Sequence, residues 1–318
     1  MLTRRSFAAA SAAALVPFSA QAQMRYPVPT VTLVTHSSPG GGSDVFLREL
    51  IKHLHPVMGV NFAVENVRGG SGATAFARVA RARPDGSMFY ATTPTYIQTT
   101  LLSRPEFGYD SLDPLAIVFL DPEVIYTRVE SPFRTLADAV AHAKANPGRQ
   151  RWGAANPASL ERIAFEKMNR LIGARAAVVS HEGGGDLMIN VLNGTLDLGI
   201  GEIQEIRAQL DANRIRLLGV VTEERLPDFP DLATAREQGV DLVVTKFRGL
   251  AGPKGMPDEI AAMWHDALRQ VLASPAYKEQ YAKESLVPAL KGREEARRFT
   301  AEFAAEIAAT LRELGVVR

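Results

Sequence analysis

The chain reads as an α/β protein of two lobes, built on two mostly parallel sheets flanked by helices, with two crossing strands as the hinge. Three observations predict this. Short apolar runs alternate with amphipathic helical patterns along most of the 318 residues, as βα units require. The alternation comes in two separate series, and the last third then turns mainly helical. At this length a chain fills two domains, or one large one, more readily than one small core.

In the first series, residues 31–35 read as a strand and 45–57 as a helix in which Phe46, Leu47, Leu50, Ile51 and Leu54 share a face. A strand at 62–65, a helix at 73–81, the turn Pro84-Asp85-Gly86 and a strand at 88–92 complete a βαβαβ half. The second series opens with the strand-like VIYTRV from Val124, followed by a helix at 136–145 and the turn Asn146-Pro147-Gly148. Then come the strand RWGAA, helices near 159–171 and 186–192, and strands at 177–180, 196–200 and 215–221. After a strand at 247–251, apolar positions within 260–272 and 299–314 mark closing helices. Crossing strands near 124–129 and 243–250 would form the hinge, dividing the chain into residues 23–125 with 248–318 as lobe 1 and 126–247 as lobe 2.

Residues 1–22 have the character of an export signal. Arg4 and Arg5 precede a small-residue apolar stretch at 8–18, and Ala20-Gln21-Ala22 fits the pattern accepted for cleavage near Ala22. Thr3-Arg4-Arg5-Ser6-Phe7 resembles a twin-arginine signal, and a general secretory signal with two arginines is the alternative. Either predicts a periplasmic protein. Removing this segment leaves 34 Lys and Arg against 35 Asp and Glu, a net charge of −1. A near-neutral chain with no basic run argues against nucleic acid as partner. Zero cysteines exclude disulfides and thiolate catalysis.

Four loops stand where strands lead into helices, the usual ligand edge of open α/β sheets. The first is Ser37-Ser38-Pro39-Gly40-Gly41-Gly42-Ser43-Asp44, placed to offer backbone N–H groups and a helix dipole to an anion. It matches neither a Walker loop nor a dinucleotide fingerprint, and a plain capped turn is the alternative. The second loop, 91–95, ends in threonines including Thr93; the third holds Asn156, Pro157 and Ser159, with Arg162 one turn on; the fourth is a second triple glycine, Gly183-Gly184-Gly185. Triple glycines in both series favour backbone approaching a ligand from two sides of a cleft.

Enzyme readings fare worse. His53 and His55 are two apart and cannot form an i,i+4 metal pair. The stretch Gly69-Gly70-Ser71-Gly72-Ala73 lacks the last glycine of a nucleophile elbow. His36, Ser37, Ser38 and Asp44 are close in sequence, which rarely gives triad geometry. No catalytic residue, metal site or cofactor is therefore expected.

Seven segments in order resemble the substrate-binding receptors of tripartite tricarboxylate transporters, the Bug-type receptors. They are residues 39–44, Val64-Glu65-Asn66 with 69–72, ARARPDG at 80–86, SPFRTL at 131–136, 183–186, LNGTLD at 192–197 and RGLAGP at 248–253. The resemblance implies a type II-like periplasmic-binding-protein fold that closes over a small organic acid and passes it, as a monomer, to integral-membrane permease subunits. A sensor feeding a signalling system is the alternative. Carried over by position, the ligand contacts would be Ser38, Gly41, Gly42, Ser43, Asp44 and Thr93 in the first lobe. Those of the second would be Asn156, Ser159, Gly184, Gly185 and Glu202. The chain departs from the family at Thr35-His36, where a Pro-Phe pair is common, and at the serine-poor third loop. Arg162 could there pair bidentately with a second carboxylate of a diacid, or instead with Glu161 or Glu166.

Overall fold

The computed structural model describes residues 26–313 and 315–317. The export-signal reading falls on residues 1–22 and lies outside the described residues.

The first lobe opens with β1 (Thr30–Thr35), α1 (Gly42–Met58), β2 (Asn61–Asn66), α2 (Ala73–Ala80), β3 (Met88–Thr92), α3 (Pro94–Ser103) and β4 (Leu112–Leu120). The second holds β5 (Glu123–Arg128), α4 (Leu136–Ala145), β6 (Arg151–Ala154), α5 (Leu160–Ile172), β7 (Ala177–Ser180), α6 (Gly184–Leu192), β8 (Leu198–Glu202), α7 (Ile203–Asp211) and β9 (Ile215–Val220). The chain then returns to the first lobe as β10 (Phe247–Pro253), α8 (Asp258–Ala273), α9 (Pro275–Lys283), β11 (Val287–Lys291) and α10 (Arg293–Glu313).

Local chemistry accounts for these elements. In α1, Leu47, Leu50 and Leu54 recur at helical spacing and are buried against β1 and α8 in a core that includes Leu33, Phe89 and Trp264. Burying each such side chain is worth about 1.5–3 kcal/mol. Helix α4 starts on a reciprocal cap, in which Thr135 Oγ1 accepts the Asp138 N–H and Asp138 Oδ2 accepts the Thr135 N–H. The second lobe has its own core, with Trp152, Phe165, Leu198 and Leu218 buried between sheet and helices.

The sheets are mixed rather than mostly parallel. The first runs β11-β4-β10-β3-β1-β2, parallel only where β1 meets β2 and β3; the second runs β7-β6-β8-β5-β9, parallel where β6 meets β7 and β8. The strands next to the crossings enter antiparallel, because a chain that leaves one sheet at its ligand edge comes back in the opposite direction. The crossing itself is also shorter than the sequence suggests. The chain changes lobe at Asp121-Pro122 and returns at residues 244–246, where the Asp121 N–H bonds the Lys246 carbonyl at 3.0 Å. Strands β5 and β10 belong to one sheet each.

Strand β4 is absent from the sequence reading. Pro114 interrupts its run, and the structure accommodates it where the β4–β10 register shifts between Leu250 and Ala251. Helix α7 was also missed, although Ile203 and Ile206 have helical spacing and both are buried.

Candidate functional site

A cavity of about 170 Å³ lies between the lobes, lined by loops from both. The first lobe supplies His36, Ser37, Gly42, Ser43, residues 69–72, Thr93 and Thr95; the second supplies residues 155–157, Glu161, Gly183, Gly184, Glu202 and Glu205; Lys246 and Arg248 close the hinge side.

One wall is neutral and rich in backbone. Gly69, Gly70, Ser71 and Gly72 all have positive φ (121°, 58°, 52° and 97°), a left-handed run in which Ser71 alone carries a side-chain penalty. Thr99 Oγ1 holds it by donating to the Ser71 carbonyl at 2.7 Å. Beside it starts α3, capped by Thr93, whose Oγ1 accepts the Thr95 N–H at 3.3 Å. A helix N-terminus with hydroxyls around it stabilises negative charge without any cationic side chain. Sequence reasoning noticed residues 69–72 as a failed nucleophile elbow and as part of the family resemblance, and named none of them as a ligand contact.

The opposite wall is charged. Strand alternation puts Lys246 and Arg248 on the cleft side, while Phe247 between them packs on Phe299 and Phe303. Arg248 donates to Asp121 Oδ2 at 2.6 Å, Ser43 Oγ at 2.7 Å and Glu202 Oε1 at 2.7 Å. Lys246 pairs with Glu123 at 3.0 Å and also with Glu161 and Glu202. The oxygens of these three glutamates lie within 4.8 Å of one another, a spacing that a metal ion could use. The Lys246 ammonium already stands among them.

Burial opposes every charge in this network, and pairing decides the outcome. Burial pushes Asp121 up to about 6 despite Arg248, and raises Glu123 well above the usual range. For Glu161 and Glu202 burial is overcome, by Lys246 in both and by Arg248 for Glu202, so both are held low. Burial, with Lys246 and Arg248 nearby, lowers His36 to about 4. Its neutral ring shares a 2.7 Å hydrogen bond with the Tyr90 hydroxyl.

The two triple glycines do meet. A Cβ on Gly183 would lie 2.8 Å from the Ser38 backbone nitrogen, and one on Gly185 the same distance from the Pro39 carbonyl oxygen. What stands between them is the chain's own Glu205, whose carboxylate accepts the Gly42 N–H and lies where a Cβ on Gly184 would collide with it. Burial and the neighbouring Glu202 raise Glu205 well above the ordinary carboxylate range.

Of the predicted contact residues, Gly42, Ser43, Thr93, Asn156, Gly184 and Glu202 line the cavity; Ser38, Gly41, Asp44, Ser159, Arg162 and Gly185 do not. Asp44 is taken up locally by the Gly40 N–H, Arg48 and Asn66. Ser159 caps α5 by accepting the Arg162 N–H at 3.2 Å. Arg162 donates to Ser180 at 3.2 Å and lies 3.6 Å from Glu166, because its place on α5 carries it over β7 instead of into the cleft. The pairing with a diacid is thereby replaced by the local one. Lys246, Arg248, Asp121, Glu123, Glu161 and Glu205 were not predicted, although a charged residue beside or inside an apolar strand run, as in TKFRGL or VFLDPEVIY, is the signal for the first four.

Comparison with known proteins agrees with this architecture. A relative from Agrobacterium vitis, the UPF0065 protein in the TAR-I ttuE-ttuC' intergenic region, is 27% identical over 96% of this chain and 89% of its own. The periplasmic binding protein BugD superposes with a TM-score of 0.86 at 22% identity, over 92% of this chain and 99% of its own. The R. palustris protein Rpa4515, solved with adipate, gives 0.86 at 24%, over 91% and 98%. The family model described as tripartite tricarboxylate transporter family receptor matches residues 46–316. With that match over most of its length and a cleft of this construction, the chain belongs to the tripartite tricarboxylate transporter receptor family.

Proposed function

We propose that this protein is an exported receptor that closes its two lobes over a small organic carboxylate and presents the closed form to the membrane permease subunits of a tripartite transporter. One observation carries the reading: the left-handed turn at 69–72 and the N-terminus of α3 line one cavity between the lobes. There a carboxylate would meet backbone N–H groups and the hydroxyls of Ser71, Thr93 and Thr95. Family membership and the adipate bound to the R. palustris protein support the same ligand class. Among the described residues no helix is long and apolar enough to cross a membrane, so the partner permease would supply the membrane passage.

Binding instead of catalysis fits the side chains. His36 is engaged with Tyr90, and Asp44 is held by Gly40, Arg48 and Asn66, so the set His36, Ser37, Ser38 and Asp44 does not assemble a relay. Closure then acts as the signal, because a ligand shared between lobes favours the closed form by its extra contacts there.

A thermal-shift screen of the protein from residue 23 onward against mono-, di- and tricarboxylates tests this. A ligand at about 100 times its Kd stabilises by about 2.7 kcal/mol, a rise of several degrees. A screen in which only sugars or other uncharged solutes raise the melting temperature would refute the reading.

A further inference from the structure

One ring that lines the cavity keeps a nitrogen without a partner. His36 follows β1, and its Nδ1 lies 2.7 Å from the Tyr90 hydroxyl. Its Cβ and Cγ lie against Gly72, where an added Cβ would come within 3.2 and 3.3 Å of them, so the bare glycine gives the ring its place beside the turn at 69–72. Tyr90 is fully buried among Phe76, Val79 and Tyr96 and does not line the cavity. With one side of the imidazole turned to Tyr90 and another to Gly72, the edge left for the cavity is the one that bears Nε2. No hydrogen-bond partner for that nitrogen stands among the described residues.

The Tyr90 hydroxyl decides which nitrogen carries the proton. Burial pushes it well above the ordinary tyrosine range, so it stays protonated, and its one acceptor among the described residues is Nδ1. An unpaired buried hydroxyl is costly, so Tyr90 donates and Nδ1 accepts. Burial, with Lys246 and Arg248 nearby, keeps the ring neutral at pH 7 by lowering it to about 4. A neutral imidazole whose Nδ1 accepts holds its single proton on Nε2. The hydroxyls of Ser71, Thr93 and Thr95 can turn to donate or to accept, whereas this Nε2–H can only donate.

We propose, building on the carboxylate-receptor reading, that His36 is a specificity-determining residue of the cleft: its Nε2–H donates to a ligand carboxylate oxygen beside the turn at 69–72, and Tyr90 is the positioning residue that locks this tautomer. The fixed donor gives the neutral wall a polarity that its rotatable hydroxyls lack. It receives an oxygen acceptor and disfavours a ligand group that presents its own N–H or O–H there.

Nitrogen-15 NMR of the histidine side chains and titration calorimetry test this on the protein from residue 23 onward, with propionate, succinate, adipate and citrate as probes. Without ligand, His36 is expected as the Nε2–H tautomer at pH 7, and Tyr90→Phe is expected to release the lock and give a mixture. The tightest of the four probes should shift the His36 Nε2 proton downfield as it enters a hydrogen bond. His36→Gln keeps a donor near the position of Nε2 and should bind that probe within about threefold of the unsubstituted protein. His36→Phe combined with Tyr90→Phe removes both polar partners at similar shape, and should bind it about tenfold more weakly. An Nδ1–H tautomer in the ligand-free protein, a readout that needs no variant, overturns the inference. So does a double variant that binds as tightly as the unsubstituted protein, or a His36→Gln protein that binds as weakly as the double variant; each of these results leaves the carboxylate-receptor reading intact. Binding of none of the four probes to the unsubstituted protein overturns both.

Discussion

Glu205 of the second lobe accepts the backbone N–H of Gly42 in the first, so one side chain bridges the cleft at the glycine loops. The bridge also brings Glu205 against Glu202, whose charge is fixed by Lys246 and Arg248. Lobe closure and the ion network are thus one connected structure.

Removing the bridge should loosen closure without unfolding either lobe. Glu205→Ala is expected to enlarge the radius of gyration in small-angle scattering of the ligand-free protein. Its effect on overall stability should stay near 1 kcal/mol, the usual net worth of one hydrogen bond.

Arg248→Met should be far more damaging. It leaves Asp121 and Glu202 buried beside one fewer cation, and breaking a buried pair from one side costs about 3–5 kcal/mol. Urea unfolding should show the loss as a lower midpoint at an unchanged slope.

Gly42→Val places a side chain into the Arg248 guanidinium and 2.8 Å or less from Glu202 Oε2. Overpacking of this kind costs about 1–3 kcal/mol. Ligand binding should be lost while the circular dichroism spectrum remains that of the folded protein.

His36 gives the protein a defined acid sensitivity. Its folded-state value of about 4 lies below the ordinary 6.5, so the unfolded chain takes the proton first. The stability it contributes is complete above pH 6.5 and is lost as the pH falls through 4. His36→Gln should therefore flatten the stability profile in that window, by about 1–2 kcal/mol at pH 5. Urea midpoints at pH 7.5, 5.5 and 4.5 measure it, and parallel profiles for the two proteins would contradict the assignment.

Arg162→Ala should leave ligand affinity unchanged. Its contacts are Ser180 and Glu166 within the second lobe, and it does not line the cavity, so the stability change should stay within about 0.5 kcal/mol.

The sequence was most legible where local rules act alone. Strands β3 and β7 and helix α4 fall on their predicted residues, because alternation, capping and turn chemistry are local. Strand β4 was hidden by Pro114, which sits where the register against β10 shifts. The lining of the cleft by Gly42, Thr93 and Asn156 followed from their positions at strand ends. The ion network did not, since Asp121, Glu161, Glu202 and Lys246 come together only when the two crossing segments and α5 are assembled. Arg162 misled for a related reason: at a helix start, one position decides whether a side chain enters the cleft or lies over the neighbouring strand.

The most direct test of a carboxylate held at the neutral wall uses Thr95→Val. Thr95 lines the cavity in the first turn of α3, and valine keeps its shape while deleting the hydroxyl. Titration calorimetry with the carboxylate that most raises the melting temperature should give an affinity about tenfold weaker, equivalent to about 1.4 kcal/mol, with the ligand-free melting temperature little changed. An affinity equal to that of the unsubstituted protein would place the carboxylate elsewhere and contradict the account.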